Sequence, residues 1–173
     1  MMEIRLLTAD DARAYWDFRL EALNQEPEAF GSSAEEHRLL SVEDVKSRLG
    51  PSPAGFVMGA FEGERLIGTA GFYRENGLKT RHKGRIWGVY VTGQVRGKGV
   101  GRDLLRALLQ RAASIEGIEQ IELTVATPQA AATALYRSLG FESFGREPRA
   151  LRIGDRYLDE EYMVLFVDRP HSR

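Results

Sequence analysis

The 173-residue chain has no cysteine, only three histidines and six prolines, and almost no net charge, with 24 lysines and arginines against 25 aspartates and glutamates. Each shortage excludes something. Without cysteine there are no disulfides, no thiolate nucleophile and no cysteine-ligated zinc, a composition that suits a reducing compartment. His37, His82 and His171 are too scattered to suggest a metal centre, and none is expected. A net charge of −1 provides no basic field for nucleic acid or an anionic membrane surface, so any phosphate must be met locally. No apolar run approaches the roughly 20 residues that span a bilayer. The expectation is one domain over residues 1–173, cytoplasmic, with neither nucleic acid nor membrane as partner.

What the chain does contain is a succession of short periodic segments. "MEIRLL" alternates as a strand does. "TADDARAYWDFRLEALNQ" reads as a helix capped by Thr8 or Asp10, with Ala12, Tyr15, Trp16, Leu20 and Leu23 along one side. The stretch "EPEAFGSSAEEHRLLSVEDVKSRLG" mixes Pro, Gly and Ser with an amphipathic piece at Val42 to Leu49, and reads as a long ordered loop and a helix. Two β runs flank the turn "EGER", and "GRIWGVYVT" supplies a third, which makes an antiparallel meander. A helix, the strand "QIELTVAT", the helix "QAAATALYRSLG" and two last β runs complete the chain.

The densest stretch is "VYVTGQVRGKGVGRDLLRALLQRA", Val89 to Ala112. Gly97, Gly99 and Gly101 lie between a strand and a helix whose apolar face is Leu104, Leu105, Leu108, Leu109, Ala112 and Ile115. Glycines let the backbone take left-handed torsions and approach a ligand closely, while the free N–H groups and dipole of a helix start favour an anion. With Arg96, Lys98 and Arg102 nearby, the stretch suits a pyrophosphate. It does not match a P-loop, because "GQVRGKG" has one residue too few before its Gly-Lys pair and Gly99 stands where a hydroxyl is needed. Nor does it match a dinucleotide fold, since "GKGVGR" breaks that spacing and follows a meander. Gly88, inside "RIWGVYV", weakens a strand unless it makes a bulge or a close backbone approach, as an opened sheet would need.

On "RGKGVG", Arg96 to Gly101, on "AAATALYRSLGF", Ala130 to Phe141, and on the order of its elements, the chain resembles the GCN5-related N-acetyltransferase (GNAT) superfamily over essentially its whole length. The resemblance implies a mixed α/β (α+β) fold. Its central sheet would have about seven mostly antiparallel strands, flanked by about four helices and splayed between strands 4 and 5. It implies acetyl-CoA as cosubstrate, with the backbone amides of Val95, Arg96, Gly97, Lys98, Gly99, Val100 and Gly101 on the pyrophosphate and Arg102 beside it. Val89, Tyr90 and Val91 would pair with the pantetheine arm, and Tyr136 would stand near the thioester sulfur as general acid. It also implies an acceptor that is a primary amine attacking directly in a ternary complex.

An amine with a pKa near 10.4 must lose a proton before it attacks, at a cost of roughly 4.6 kcal/mol at pH 7, so a base is required. Many relatives carry one on the strand before the glycine turn. Here "KTRHKGRIWGVYV" has no carboxylate, and the base is left among Glu28, Glu35 and Glu36, with His82 in an exposed basic turn. Gln129 replaces a common Asn seven residues before the tyrosine, which puts that contact to the cofactor arm in doubt. By position in the resemblance, Phe30, Ser32, Ser33, Tyr73 and Arg149 would face the acceptor, and the signs of nearby charges conflict about its nature. The missing base and Gln129 also admit a non-catalytic acyl-CoA sensor of the same fold. Edge-strand physics adds a homodimer through an exposed C-terminal strand.

Overall fold

The computed structural model describes residues 2–167. Its strands are β1 (Met2–Leu6), β2 (Gly55–Glu62), β3 (Arg65–Arg74), β4 (Lys83–Val91), β5 (Gln120–Ala126), β6 (Glu142–Ile153) and β7 (Arg156–Phe166). They form one sheet in the order β1-β2-β3-β4-β5-β7-β6, antiparallel throughout except where β4 runs parallel to β5. The helices are α1 (Ala12–Gln25), α2 (Ala34–Arg38), α3 (Val42–Arg48), α4 (Val100–Ala113) and α5 (Ala130–Ser138). About four were expected; the addition is the five-residue α2, hidden from periodicity because it is little more than one turn. Ser33 starts it, accepting the Glu36 N–H at 3.1 Å while the Glu36 carboxylate accepts the Ser33 N–H.

The two faces of the sheet bury separate cores. On one, α4 packs the stripe Leu104, Leu105, Leu108 and Ala112, all with no exposed surface, against Ile67, Phe72, Ile121 and Met163. Each fully buried leucine contributes about 1.5–3 kcal/mol, so this stripe anchors the glycine turn that precedes it. On the other face, α1 sets Tyr15, Phe18, Ala22 and Leu23 over Val57, Phe61 and Tyr90. Neither Thr8 nor Asp10 caps α1. A short turn, Ala9–Asp11, intervenes, and Asp11 occupies the cap position with its carboxylate on the Thr8 N–H and the Arg5 guanidinium.

Two departures from a regular sheet position the site. Between β3 and β4 the register runs from Thr69↔Tyr90 to Gly71↔Trp87, two steps on one strand against three on the other. The extra residue makes a bulge at Gly88, whose φ is +62°, and Thr69 Oγ1 donates to the Gly88 carbonyl at 3.3 Å. A strand of period two would put Ile86 and Tyr90 on one face; here they belong to opposite cores. The second departure lies between β4 and β5, which pair only from Lys83↔Gln120 to Arg85↔Glu122. Beyond that they part, and β5 continues alone with β7 as far as Ala126↔Glu160.

The expected exposed C-terminal strand is corrected by this topology. β7 is paired on both sides, by β5 and β6, because the chain crosses outward to β6 before it turns back. The free edges are β1 and β6, so the proposed route to a dimer through the last strand is closed. His171 lies outside the described residues. No helix among the described residues is long and apolar enough to cross a membrane.

Candidate active site

The turn from β4 to α4 leaves backbone amides free, the arrangement an anion would need. Gly97 and Gly99 have φ of +79° and +80°, with open space where a side chain would begin. The α4 ladder starts with the Asp103 N–H on the Gly99 carbonyl at 3.0 Å, so the N–H groups of Val100, Gly101 and Arg102 precede it. The free run is shorter than expected. The N–H groups of Val95 and Arg96 are already used by the carbonyls of Thr92 and Gly93. Two of the three basic side chains are also engaged: Arg96 pairs with Glu26 and donates to the Val91 carbonyl, and Arg102 donates to Ser138 Oγ at 2.9 Å. Lys98 is exposed, and no ion pair holds it among the described residues.

From this turn a groove of about 400 Å³ runs along β4 and α5. It brings together every residue expected to hold the cofactor except Lys98: Val89, Tyr90, Val91, Val95, Arg96, Gly97, Gly99, Val100, Gly101, Arg102 and Gln129. The groove continues into a smaller cavity of about 120 Å³ between the parted strands, the two sharing Glu26, Val89, Gln129, Ala132 and Leu135. Gln129 therefore sits at the junction, in the cap position of α5. At the inner end of the small cavity is Tyr136. Its ring packs edge-on against Phe141 at 6.0 Å, and burial pushes its phenol well above the usual tyrosine range.

A third cavity, again about 400 Å³, lies under α1 and is bounded by α2, α3 and Trp87 of β4. Trp87 lines both this cavity and the one between the strands. Ser32 is in its wall, and so is Glu36, whose carboxylate is held by the Ser33 N–H. Phe30 is buried and packs its ring against Tyr90. Of the residues expected to face an acceptor, Phe30, Ser33, Tyr73 and Arg149 line none of these three cavities. Ser33 is the α2 cap. Tyr73 stands 41% exposed toward the far end of β3, and Arg149 is held over the Tyr157 ring at 5.0 Å with its N–H on Asp159. Glu28 is ion-paired with Arg156, and Glu35 is exposed on the first turn of α2.

Two residues of this region escaped the sequence reading. Arg19, on α1, lines the third cavity with its guanidinium beside the rings of Phe30 and Trp87. Glu160, on β7, is the register partner of Ala126 in the wall of the strand opening and interacts with Thr124 of the same wall. Desolvation, reinforced by the charge of Glu147, raises its carboxyl above the usual range, while Thr124 and Arg85 oppose the shift. Neither position carries a local signal, since an arginine on an amphipathic helix and a glutamate on an alternating strand both read as solvated.

The structure thus presents a mixed sheet parted beside a bulged strand, with a turn of free backbone amides in the groove and a buried tyrosine in the wall of the cavity between the strands. The chain belongs to the Acetyltransferase (GNAT) family, whose sequence profile matches residues 14–141. An L-methionine sulfoximine/L-methionine sulfone acetyltransferase of Pseudomonas aeruginosa is 38% identical over 84 residues, 49% of this chain and 48% of that one. The N-alpha-acetyltransferase RimI of Mycobacterium tuberculosis is 37% identical over 102 residues, 59% of this chain and 61% of that one. This chain therefore spans about half to three-fifths of those relatives. The structure of yncA from Salmonella typhimurium with its cofactor acetyl-CoA shares the fold, with a TM-score of 0.82 at 23% identity over 99% of this chain and 96% of that one.

Proposed function

We propose that the protein is an acetyl-CoA-dependent N-acetyltransferase that acts on a primary amine in a ternary complex. The carrying observation is the connected run of cavities from the free amides of Gly97–Arg102, past Val89 and Gln129, to Tyr136 in the wall of the smaller one. The residues fit the cosubstrate: two glycines with left-handed torsions leave backbone amides open for a pyrophosphate, and β4 has lost its neighbour where an extended amide-bearing arm could borrow strand hydrogen bonds. When bound, acetyl-CoA supplies a thioester whose carbon–sulfur bond breaks as the amine nitrogen bonds to the acetyl carbon.

The chain's own groups then handle two protons. Tyr136 keeps its hydroxyl protonated throughout the neutral range because burial disfavours the phenolate, so it holds a proton for the departing sulfur. The acceptor ammonium must give up a proton, and we assign this to Glu160, the register partner of Ala126 in the cavity wall, whose carboxyl is raised above the ordinary glutamate range by desolvation and by Glu147. The Pseudomonas relative acts on L-methionine sulfoximine and L-methionine sulfone, and the Mycobacterium relative is an N-alpha-acetyltransferase; an acceptor bearing a primary α-amine is consistent with both.

Titration calorimetry with acetyl-CoA, followed by detection of coenzyme A thiol release across an amine panel, tests the reading. Gly99→Gln and Gly99→Glu impose the same torsional strain and differ by one charge at the turn. The glutamate variant should bind at least tenfold more weakly than the glutamine variant. Wild-type protein that fails to bind acetyl-CoA sinks the reading. Binding with no amine-dependent thiol release would make the protein a sensor.

A further inference from the structure

Arg19 is a largely buried cation with no ion pair among the described residues. Its Nη1 is sealed from solvent, and no group among the described residues accepts a hydrogen bond from it. Asp17, Glu26 and Glu28 are paired with Arg13, Arg96 and Arg156, and no ion pair with Arg19 is present among the described residues. What surrounds the guanidinium is aromatic: its central carbon lies 4.8 Å from the Phe30 ring centre and 5.8 Å from that of Trp87. Ring faces recover only part of what a buried cation loses on leaving water, and burial lowers the Arg19 pKa accordingly. A residue in this condition is completed by an anion, and the fork of a guanidinium suits a carboxylate.

Its surroundings say where that anion belongs. The cavity it lines also has Arg48 in its wall against one carboxylate, Glu36, which is tied to the Ser33 N–H. Leu23, Val45 and Leu49 make the rest of the wall largely apolar. About 400 Å³ is within the range of pockets that hold a small molecule. On the other side, Arg19 Nη1 lies 3.3 Å from where a side chain at Gly88 would start, at the bulge where β4 leaves β5. A carboxylate on Arg19 would therefore hold an amine on the adjacent carbon beside the strand opening, with the remaining substituent directed into the cavity.

Resting on the acetyltransferase reading above, we infer that the acceptor is a free α-amino acid, held through its carboxylate by Arg19, with its side chain in the cavity under α1. A peptide N-terminus presents an α-amine but an amide in place of the carboxylate. The same geometry therefore separates the two acceptor classes.

The test compares each of a panel of free L-amino acids with its own primary amide. It uses two readouts: thermal stabilisation of the protein without acetyl-CoA, and coenzyme A release with it. At least one free acid should stabilise the wild-type protein, and its kcat/KM should exceed that of its amide by tenfold or more. In Arg19→Gln the acid-to-amide ratio should collapse toward one while the KM for acetyl-CoA is kept; Arg19→Lys should restore part of it. Amides that match or exceed the acids with wild-type protein overturn the inference without needing any variant. So does an acid preference that survives in Arg19→Gln. A protein that binds acetyl-CoA yet responds to no amino acid also overturns it and leaves the family reading standing, whereas failure to bind acetyl-CoA removes both.

Discussion

Nη1 of Arg19 lies 3.3 Å from the point where an alanine methyl at position 88 would begin. The bulge in β4 and the cavity under α1 are thus two sides of one contact, and Gly88 is required there for two separate reasons. Its φ of +62° is left-handed, and the space beside it is already taken by the guanidinium. Gly88→Ala should lose about 1–2 kcal/mol to the torsion alone, which in a chain of this size lowers Tm by roughly 2–8 °C. Gly50→Ala, with an ordinary φ and open space, is the control and should shift Tm by little. Differential scanning calorimetry of the two variants checks this, and equal, small shifts would mean that the bulge relaxes freely.

Replacing Tyr136 with phenylalanine removes a proton donor while preserving the ring that packs against Phe141. Since burial keeps the phenol protonated, wild-type activity should show no loss assignable to Tyr136 until well into the alkaline range. The variant should lose about 10²- to 10⁴-fold in kcat with little change in the KM for acetyl-CoA. Unfolding in urea should differ by no more than about 1 kcal/mol. Full turnover across the pH range would remove Tyr136 from the chemistry.

The turn at Gly97–Arg102 was legible in the sequence because its physics is local. Torsion, free amides and the following leucine stripe are all carried by neighbouring residues. The splay was partly legible through Gly88, a glycine in the middle of an otherwise β-branched and aromatic strand. Arg19 and Glu160 were not, because their surroundings are made by tertiary contact. Arg19 lies on an amphipathic helix and becomes buried only when Phe30 and Trp87 close on it. Glu160 comes opposite Ala126 only because β7 inserts between β5 and β6, and the order of those strands has no signature in either hairpin run. The same insertion defeats the inference that the last strand is an edge.

Asp11 ties the entrance of α1 to β1, with both carboxylate oxygens on Arg5 at 2.9 Å and one on the Thr8 N–H at 2.8 Å. These bonds hold its carboxyl below the usual range, the Arg5 hydrogen bond being the largest influence. A carboxylate whose folded pKa is depressed contributes stability that is fully present above its unfolded pKa, about 3.9, and is lost as pH falls through the folded value. Asp11→Asn should therefore cost about 1 kcal/mol at pH 7, discounted for the partly exposed Arg5. The gap from wild type should narrow as pH drops below about 4. Urea midpoints measured from pH 7 downward follow this directly, and a gap independent of pH would assign the loss to something other than the charge.

Glu160 faces the opposite situation, since its carboxyl is raised by desolvation and by Glu147. As the base it must be ionised to work, so activity should fall on the acid side of a pKa above the ordinary glutamate value. Glu160→Gln should lower kcat/KM for the amine by about 10²- to 10⁴-fold at neutral pH. It should also abolish that acid limb, leaving a rate that rises with pH as the free amine itself becomes more abundant. Glu147→Gln, which removes a neighbouring charge, should move the limb of the intact enzyme to lower pH, because the like charge that helps to keep Glu160 protonated is gone. For stability the sign is reversed from Asp11. A raised carboxyl pKa makes ionised Glu160 a cost to the fold above that pKa, so Glu160→Gln should leave the protein as stable as wild type or more so at pH 8. A variant that loses both activity and stability at pH 8 would instead mark Glu160 as a structural member of the β5–β7 pair. Loss of activity with stability retained, together with the vanished acid limb, is the outcome that only a proton acceptor at this position produces.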